Sequence, residues 1–170
     1  MKIAIGSGKG GTGKTFVATN LFYTLKHANE QVILVDCDVE VPNAKVFFPF
    51  VKTKQEKVTK YHPVFNSQQC TYCGKCLEYC EFNAIYCIPE KAQIRLFLHL
   101  CHGCKACAIA CNQKAITDAV SEVGIISYLK DEKHISLIEG KMNEGELSSE
   151  PVIKQTMKRA SELHYDYMII

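Results

Sequence analysis

Nine of the ten cysteines in this 170-residue chain fall within a 42-residue window, and eight of them have the spacing of metal ligands. Cys70-x2-Cys73-x2-Cys76-x3-Cys80 is followed by Cys101-x2-Cys104-x2-Cys107-x3-Cys111. Three cysteines at two-residue intervals on a tight loop can occupy three corners of one cubane. The fourth, entering the next helix, ligates the other cluster. The spacing therefore predicts one [4Fe–4S] cluster on Cys70, Cys73, Cys76 and Cys111, and a second on Cys80, Cys101, Cys104 and Cys107.

This is the bacterial ferredoxin spacing written twice. Every cysteine of the first run recurs 31 positions later, as do Ala84-Ile85 at Ala115-Ile116. Gly74 and Gly103 lie inside the loops, where backbone must wrap a cluster closely, and Tyr86–Leu98 reads as a strand-turn-strand between the repeats. A disulfide framework would need an oxidising compartment. Zinc sites pair two C-x2-C hooks across a long spacer and would leave a loop cysteine idle, and a single redox disulfide does not need eight thiols. Glu81 and Asn112 follow the fourth cysteines, where the ferredoxin run usually carries proline; proline is no ligand, so assembly should survive. Cys37 and Cys87 fit neither run and read as small buried hydrophobes. The six histidines show no metal spacing, although His102 lies within a cluster loop.

A second chemical signature opens the chain. Lys2-Ile-Ala-Ile5 is a short apolar strand, followed by Gly6-Ser7-Gly8-Lys9-Gly10-Gly11-Thr12-Gly13-Lys14-Thr15. Gly8, Gly13, Lys14 and Thr15 satisfy the phosphate-loop pattern G-x4-G-K-[ST]. Glycines let backbone N–H groups turn inward around phosphate oxygens, Lys14 would reach the terminal phosphates, and Thr15 would ligate Mg²⁺. The context is right, because a strand precedes the loop and Phe16 to His27 has helical spacing, placing a helix N-terminus at the phosphate site. Gln31–Val35 is an unbroken apolar run suited to a buried parallel strand, ending in Asp36-Cys37-Asp38. Carboxylates at that strand end can hold Mg²⁺ or orient water. Asp38 is the better functional candidate, and Asp36 has the alternative of capping a turn.

Lys9-Gly10-Gly11-Thr12-Gly13-Lys14-Thr15 resembles the deviant Walker A motif, K-G-G-x-G-K-[ST], of the MinD, ParA and nitrogenase iron-protein group. The resemblance implies ATP as the ligand, a homodimer, and a signature role for Lys9, which in that family reaches across the dimer to the partner's phosphates. Lys9, Lys14 and Asp38 are then the expected catalytic residues of an ATPase, Gly8–Thr15 the phosphate contacts, and Thr15 with Asp38 the Mg²⁺ ligands. The whole resembles MinD-superfamily ATPases that carry an inserted ferredoxin domain.

Composition and pattern supply the scaffold for these sites. The chain is 47% apolar and 22% charged, which suits a packed core. Net charge is +2, which gives no argument for nucleic-acid binding. No apolar run approaches about 18 residues, and the early glycine loop leaves no room for a signal peptide; a cytoplasmic protein is expected. Lys52–Lys60 reads as a solvated linker. Gly124–Leu129 and His134–Ile138 read as strands, Pro151 to His164 as a helix with proline at its start, and Asp166–Ile170 as the opening of a buried strand. That ending suggests an N-terminal fragment, stopping before the Walker B and switch II residues of the family. The expected fold is an α/β phosphate-loop NTPase with a parallel sheet, interrupted by an α+β ferredoxin-like domain with two [4Fe–4S] clusters. Residues 1–61 and 118–170 form the first part and the rest, with 62–117 inserted. Nucleotide-gated electron transfer to a redox partner protein is the expected function. An ATP-switched iron–sulfur scaffold or carrier is one alternative, and a positioning ATPase with a redox-sensing insert is another.

Overall fold

The structure is a computed structural model that describes residues 1–132 and 134–170. The chain divides into two compact units: residues 1–58, 123–143 and 149–170 form the first, and residues 59–122 with 144–148 the second. In chain order the strands are β1 (Lys2–Ile3), β2 (Val32–Asp36), β3 (Val51–Phe65), β4 (Ile85–Ile88), β5 (Gln93–Leu96), β6 (Ile116–Lys130), β7 (Ile135–Met142) and β8 (Tyr167–Ile169). The helices are α1 (Lys14–His27), α2 (Lys75–Glu78), α3 (Ala106–Ala110) and α4 (Glu150–Ser161). Among the described residues no helix is long and apolar enough to cross a membrane.

In the first unit, parallel pairing runs β1-β8-β2-β7, and β6 then joins β7 antiparallel. The sheet is therefore mixed rather than wholly parallel. Alternation along β2 divides its residues between two faces. Ile33 and Val35 pack with Val152 and Ala160 of α4, whereas Val32 and Leu34 pack with Phe22 of α1. Helices thus cover both faces, which explains why β2 reads as continuously apolar. Phe22 is fully buried and meets the rings of Phe48 and Phe50 edge-on at centroid distances of 5.0 and 5.9 Å. Burial of such a side chain contributes about 1.5–3 kcal/mol. Asp166–Ile170 is drawn into this core: β8 lies between β1 and β2, and the Ile5 N–H donates to the Ile170 carbonyl at 2.8 Å. β1 proper covers only Lys2–Ile3 of the apolar run Lys2–Ile5, although backbone bonding to Ile170 continues to Ile5.

The Lys52–Lys60 stretch is not a solvated linker but most of β3. Its lysines hide a period of two, in which Glu56, Val58 and Lys60 turn inward while Gln55, Lys57 and Thr59 face solvent. Glu56 accepts from Arg159 Nε at 2.8 Å, and buried Lys60 pairs with Glu146 at 3.1 Å. Inward charges with ionic partners replaced the apolar alternation by which a strand is usually recognised. Pro63 is accommodated because β3 is the end strand of the sheet order. The second unit also contains the antiparallel hairpin β4–β5, in register Cys87↔Ile94.

Gly124 of β6 and Gly140 of β7 allow α4 to lie close. A Cβ on Gly124 would stand 2.5 Å from the Lys141 carbonyl and 2.7 Å from Val152 Cγ2. Backbone on one side and a fully buried valine on the other leave no room for relaxation. Gly124→Ala is expected to destabilise the first unit by about 1–3 kcal/mol, the usual cost of overpacking. This should appear as a lower urea midpoint in far-UV circular dichroism, and an unchanged midpoint contradicts the packing described.

Candidate functional site

The glycine loop joins β1 to α1 in the first unit. Gly11 and Gly13 hold φ of +71° and +88°, conformations that side chains disfavour, and Gly13 immediately precedes the first turn of α1. The Lys9 carbonyl organises the loop. It accepts from Ser7 Oγ at 2.8 Å, Thr12 Oγ1 at 3.2 Å and Lys14 Nζ at 3.5 Å, while Thr12 Oγ1 donates to Ser7 Oγ at 2.7 Å. Lys14 Nζ is also 3.3 Å from Ser7 Oγ. Beside the loop lies a cavity of about 480 Å³, whose wall includes Gly6, Ser7, Lys14, Thr15, Asp36 and Asp38. Lys14 and Thr15 thus line one space with both carboxylates; Gly8, Lys9, Gly10, Gly11, Thr12 and Gly13 belong to the loop but not to that wall.

The two aspartates differ in what they do. One Asp36 carboxylate oxygen accepts from the Asp38 N–H at 3.1 Å, and the other accepts from the Asn43 and Ala44 N–H groups at 2.9 Å each. Asp36 therefore caps the loop that follows β2. Asp38 is exposed and turned to the cavity. Cys37, between them, packs against the core, and burial together with the neighbouring Asp36 pushes its thiol up to about 11.

The cysteine runs occupy the second unit, and their repeat extends to the backbone. Tyr72, Gly74 and Asn83 have positive φ, and so do Gly103, Lys105 and Lys114, each 31 positions later. Gly74 and Lys105 precede α2 and α3 in the same left-handed conformation. The Asn83 N–H donates to Cys80 O at 3.1 Å, and the Lys114 N–H to Cys111 O at 3.0 Å. In both runs the second cysteine is exposed and the third buried.

Two cavities sort the eight cysteines. Cys70, Cys73, Cys76 and Cys111 line a space of about 160 Å³. Cys80, Cys101, Cys104 and Cys107 line another of about 20 Å³. Each cavity thus takes three cysteines from one run and the fourth from the other. Among the described residues no trio of His, Cys, Asp or Glu is placed to hold one metal ion. The Tyr72 N–H donates to Cys70 Sγ at 3.4 Å and the Ala84 N–H to Cys80 Sγ at 3.3 Å. Burial, with the charge of neighbouring sulfurs beginning with Cys87, pushes Cys76 up to about 11; the Lys75 backbone N–H lowers the exposed Cys73 thiol.

Three neighbours of these cavities escape spacing arguments. Cys87, read from sequence as a small buried hydrophobe, is half-buried and lines the first cavity, because the alternation that turns Ile85 inward turns Cys87 the same way. Tyr61, one residue past the stretch read as a linker, lines the second cavity with a buried hydroxyl that has no hydrogen-bond partner among the described residues. Burial, with nearby Cys107, pushes that phenol up to about 12. His102 stacks on Phe82 with centroids 3.8 Å apart.

A glycine loop between a strand and a helix, with carboxylates at the neighbouring parallel strand end, defines a nucleotide-binding α/β domain of the phosphate-loop class. The chain belongs to the CobQ/CobB/MinD/ParA nucleotide-binding domain family, whose description matches residues 3–166. It is similar to two uncharacterized proteins of Methanocaldococcus jannaschii. One is 35% identical over 162 residues, covering 93% of this chain and 55% of the relative; the other is 42% identical over 86 residues, covering 50% and 30%. The iron-sulfur cluster carrier protein of Aquifex aeolicus is 46% identical over 57 residues, 34% of this chain and 15% of that protein. The chain spans about half the length, or less, of the relatives it matches.

A hydrogen bond to a charged acceptor is worth about 1.5–3 kcal/mol, so release of the Asn43 and Ala44 amides has a readable effect. Asp36→Ala is expected to speed hydrogen exchange at these two amides by at least about tenfold. Unaltered exchange contradicts the capping role.

Proposed function

We propose that this protein is an iron–sulfur ATPase in which nucleotide binding gates electron transfer through two [4Fe–4S] clusters held by a ferredoxin-like insert. The observation that carries the reading is the sorting of the eight motif cysteines between two cavities, four to each, with one of each four drawn from the other run. This is the interleaving that a two-cluster ferredoxin requires. A single tetrahedral ion, with sulfur at about 2.3 Å, would draw its thiolates to about 3.8 Å from one another. A cubane instead offers a separate iron to each thiolate around a body with its own volume. The first cavity has that volume between its thiols. The second has room for about one water, so its four cysteines would hold a cluster only with their loops set farther apart.

The bound clusters supply one-electron chemistry. The chain's own residues set the conditions for it. Amide N–H groups of Tyr72 and Ala84 donate to ligand sulfurs, which favours thiolate and raises the potential of the group it binds. The left-handed turns at Gly74 and Lys105 present the loop cysteines to the cavity. At the nucleotide site Lys14 neutralises the terminal phosphates, Thr15 and Asp38 hold Mg²⁺, and Gly8–Gly13 contribute backbone N–H groups. Lys9 is left to reach the phosphates of a second copy in a homodimer. A redox partner protein receives the electron.

The Aquifex relative supports a second reading, an ATP-switched carrier that hands whole clusters to other proteins. The two separate on one experiment. Under the gating account, clusters stay with the protein when Mg·ATP and an apo-acceptor are added; ATP-accelerated transfer favours the carrier.

Anaerobically purified protein is expected to contain about eight iron and about eight acid-labile sulfide per chain. One or two zinc ions with no sulfide would overturn the cluster reading. Lys14→Ala is expected to weaken Mg·ATP binding by at least about tenfold through loss of a charge-assisted contact. Equal affinity in a fluorescent-nucleotide titration contradicts the assigned role.

A further inference from the structure

The wall of the first cavity contains a fifth cysteine. Cys87 of β4 faces the space lined by Cys70, Cys73, Cys76 and Cys111. It is half-buried, and its Sγ–H donates to the Tyr72 carbonyl at 3.8 Å. The same tyrosine donates its N–H to Cys70 Sγ at 3.4 Å. Two sulfurs, one on the cysteine loop and one on the hairpin, are therefore held on opposite polar atoms of one residue. Tyr72 has φ of +54°, a left-handed conformation that fixes where its amide and carbonyl point.

Among the described residues the wall of the second cavity has no fifth cysteine. The position 31 after Cys87 is Asp118, whose carboxylate is paired with Lys105. The repeat is thus broken in chemistry at this point while backbone and ligand cysteines are kept.

Resting on the cluster reading above, we propose that Cys87 is a reserve ligand of the first cluster, able to replace Cys70 on its iron. The exchange is balanced. The Fe–Sγ bond to Cys70 breaks and Cys70 takes up a proton; Cys87 gives up a proton and forms the new Fe–Sγ bond. No electron moves, the iron keeps four sulfur neighbours, and total charge is unchanged. The first cluster then survives loss of a loop ligand, whether by substitution or by alkylation of Cys70, and the second does not.

The repeat supplies the control, because Cys101 is the counterpart of Cys70. After anaerobic reconstitution, Cys70→Ala is expected to keep about eight iron per chain and Cys101→Ala to fall toward about four. A Cys70→Ala, Cys87→Ala double variant is expected to fall as Cys101→Ala does. Equal iron loss in Cys70→Ala and Cys101→Ala, both folded by far-UV circular dichroism, overturns the proposal. Should Cys70→Ala not fold, Cys70→Ser with iodoacetamide footprinting decides. Cys87 is expected to be alkylated in the loaded wild type and protected in loaded Cys70→Ser; equal labelling overturns the proposal. Wild-type protein without iron and sulfide would overturn the cluster reading itself, a result distinguishable from loss confined to the variant.

Discussion

Each cysteine run sends its fourth thiol to the cavity of the other run. Cys111 closes the cavity that Cys70, Cys73 and Cys76 begin, and Cys80 closes the one begun by Cys101, Cys104 and Cys107. This exchange forces the two runs together, and the rest of the second unit follows from it. The short helices α2 and α3 pack on each other, each entered through a left-handed residue, Gly74 or Lys105. The β4–β5 hairpin spans the interval between the runs. Helices of four and five residues have no stability of their own in water, so these segments depend on tertiary contact, and in the proposed holoprotein on bonds to iron. Metal binding of this kind is folding free energy.

The nucleotide site is governed by a different constraint, the alignment of parallel strand ends. β1 delivers the glycine loop, β2 delivers Asp36 and Asp38, and β8 between them fixes their separation through backbone pairing on both sides. Buried Glu139 at the matching position of β7 pairs with Lys45 at 2.9 Å, just beyond the loop that Asp36 caps. Asp36 and Glu139 thus serve the structure of this end of the sheet, whereas Lys14, Thr15 and Asp38 line the cavity.

Much of this was legible in the sequence because its signals are local. The glycine loop and cysteine runs are set by bonds and turns within a few residues, β2 by an unbroken apolar run and α4 by apolar residues at helical spacing. What was not legible depends on distant partners. β3 was hidden because its inward positions carry Glu56 and Lys60, whose partners Arg159 and Glu146 lie far along the chain. Asp36 was an open choice between ligand and cap until the Asn43 and Ala44 amides were located. Cys87 and Tyr61 lack motif spacing, and only the folded hairpin and strand bring them to the cavities.

The family assignment and the fold give a nucleotide domain, and the thiol cavities give the proposal its redox chemistry; the central claim is that the two communicate. Potentiometric EPR of the anaerobically loaded protein, with and without Mg·ATP, tests this most directly. The account predicts two interacting [4Fe–4S]⁺ signals on reduction, with a line shape or midpoint potential that shifts when Mg·ATP binds. Two cluster signals that titrate identically in both conditions, in protein shown to bind the nucleotide, would contradict it.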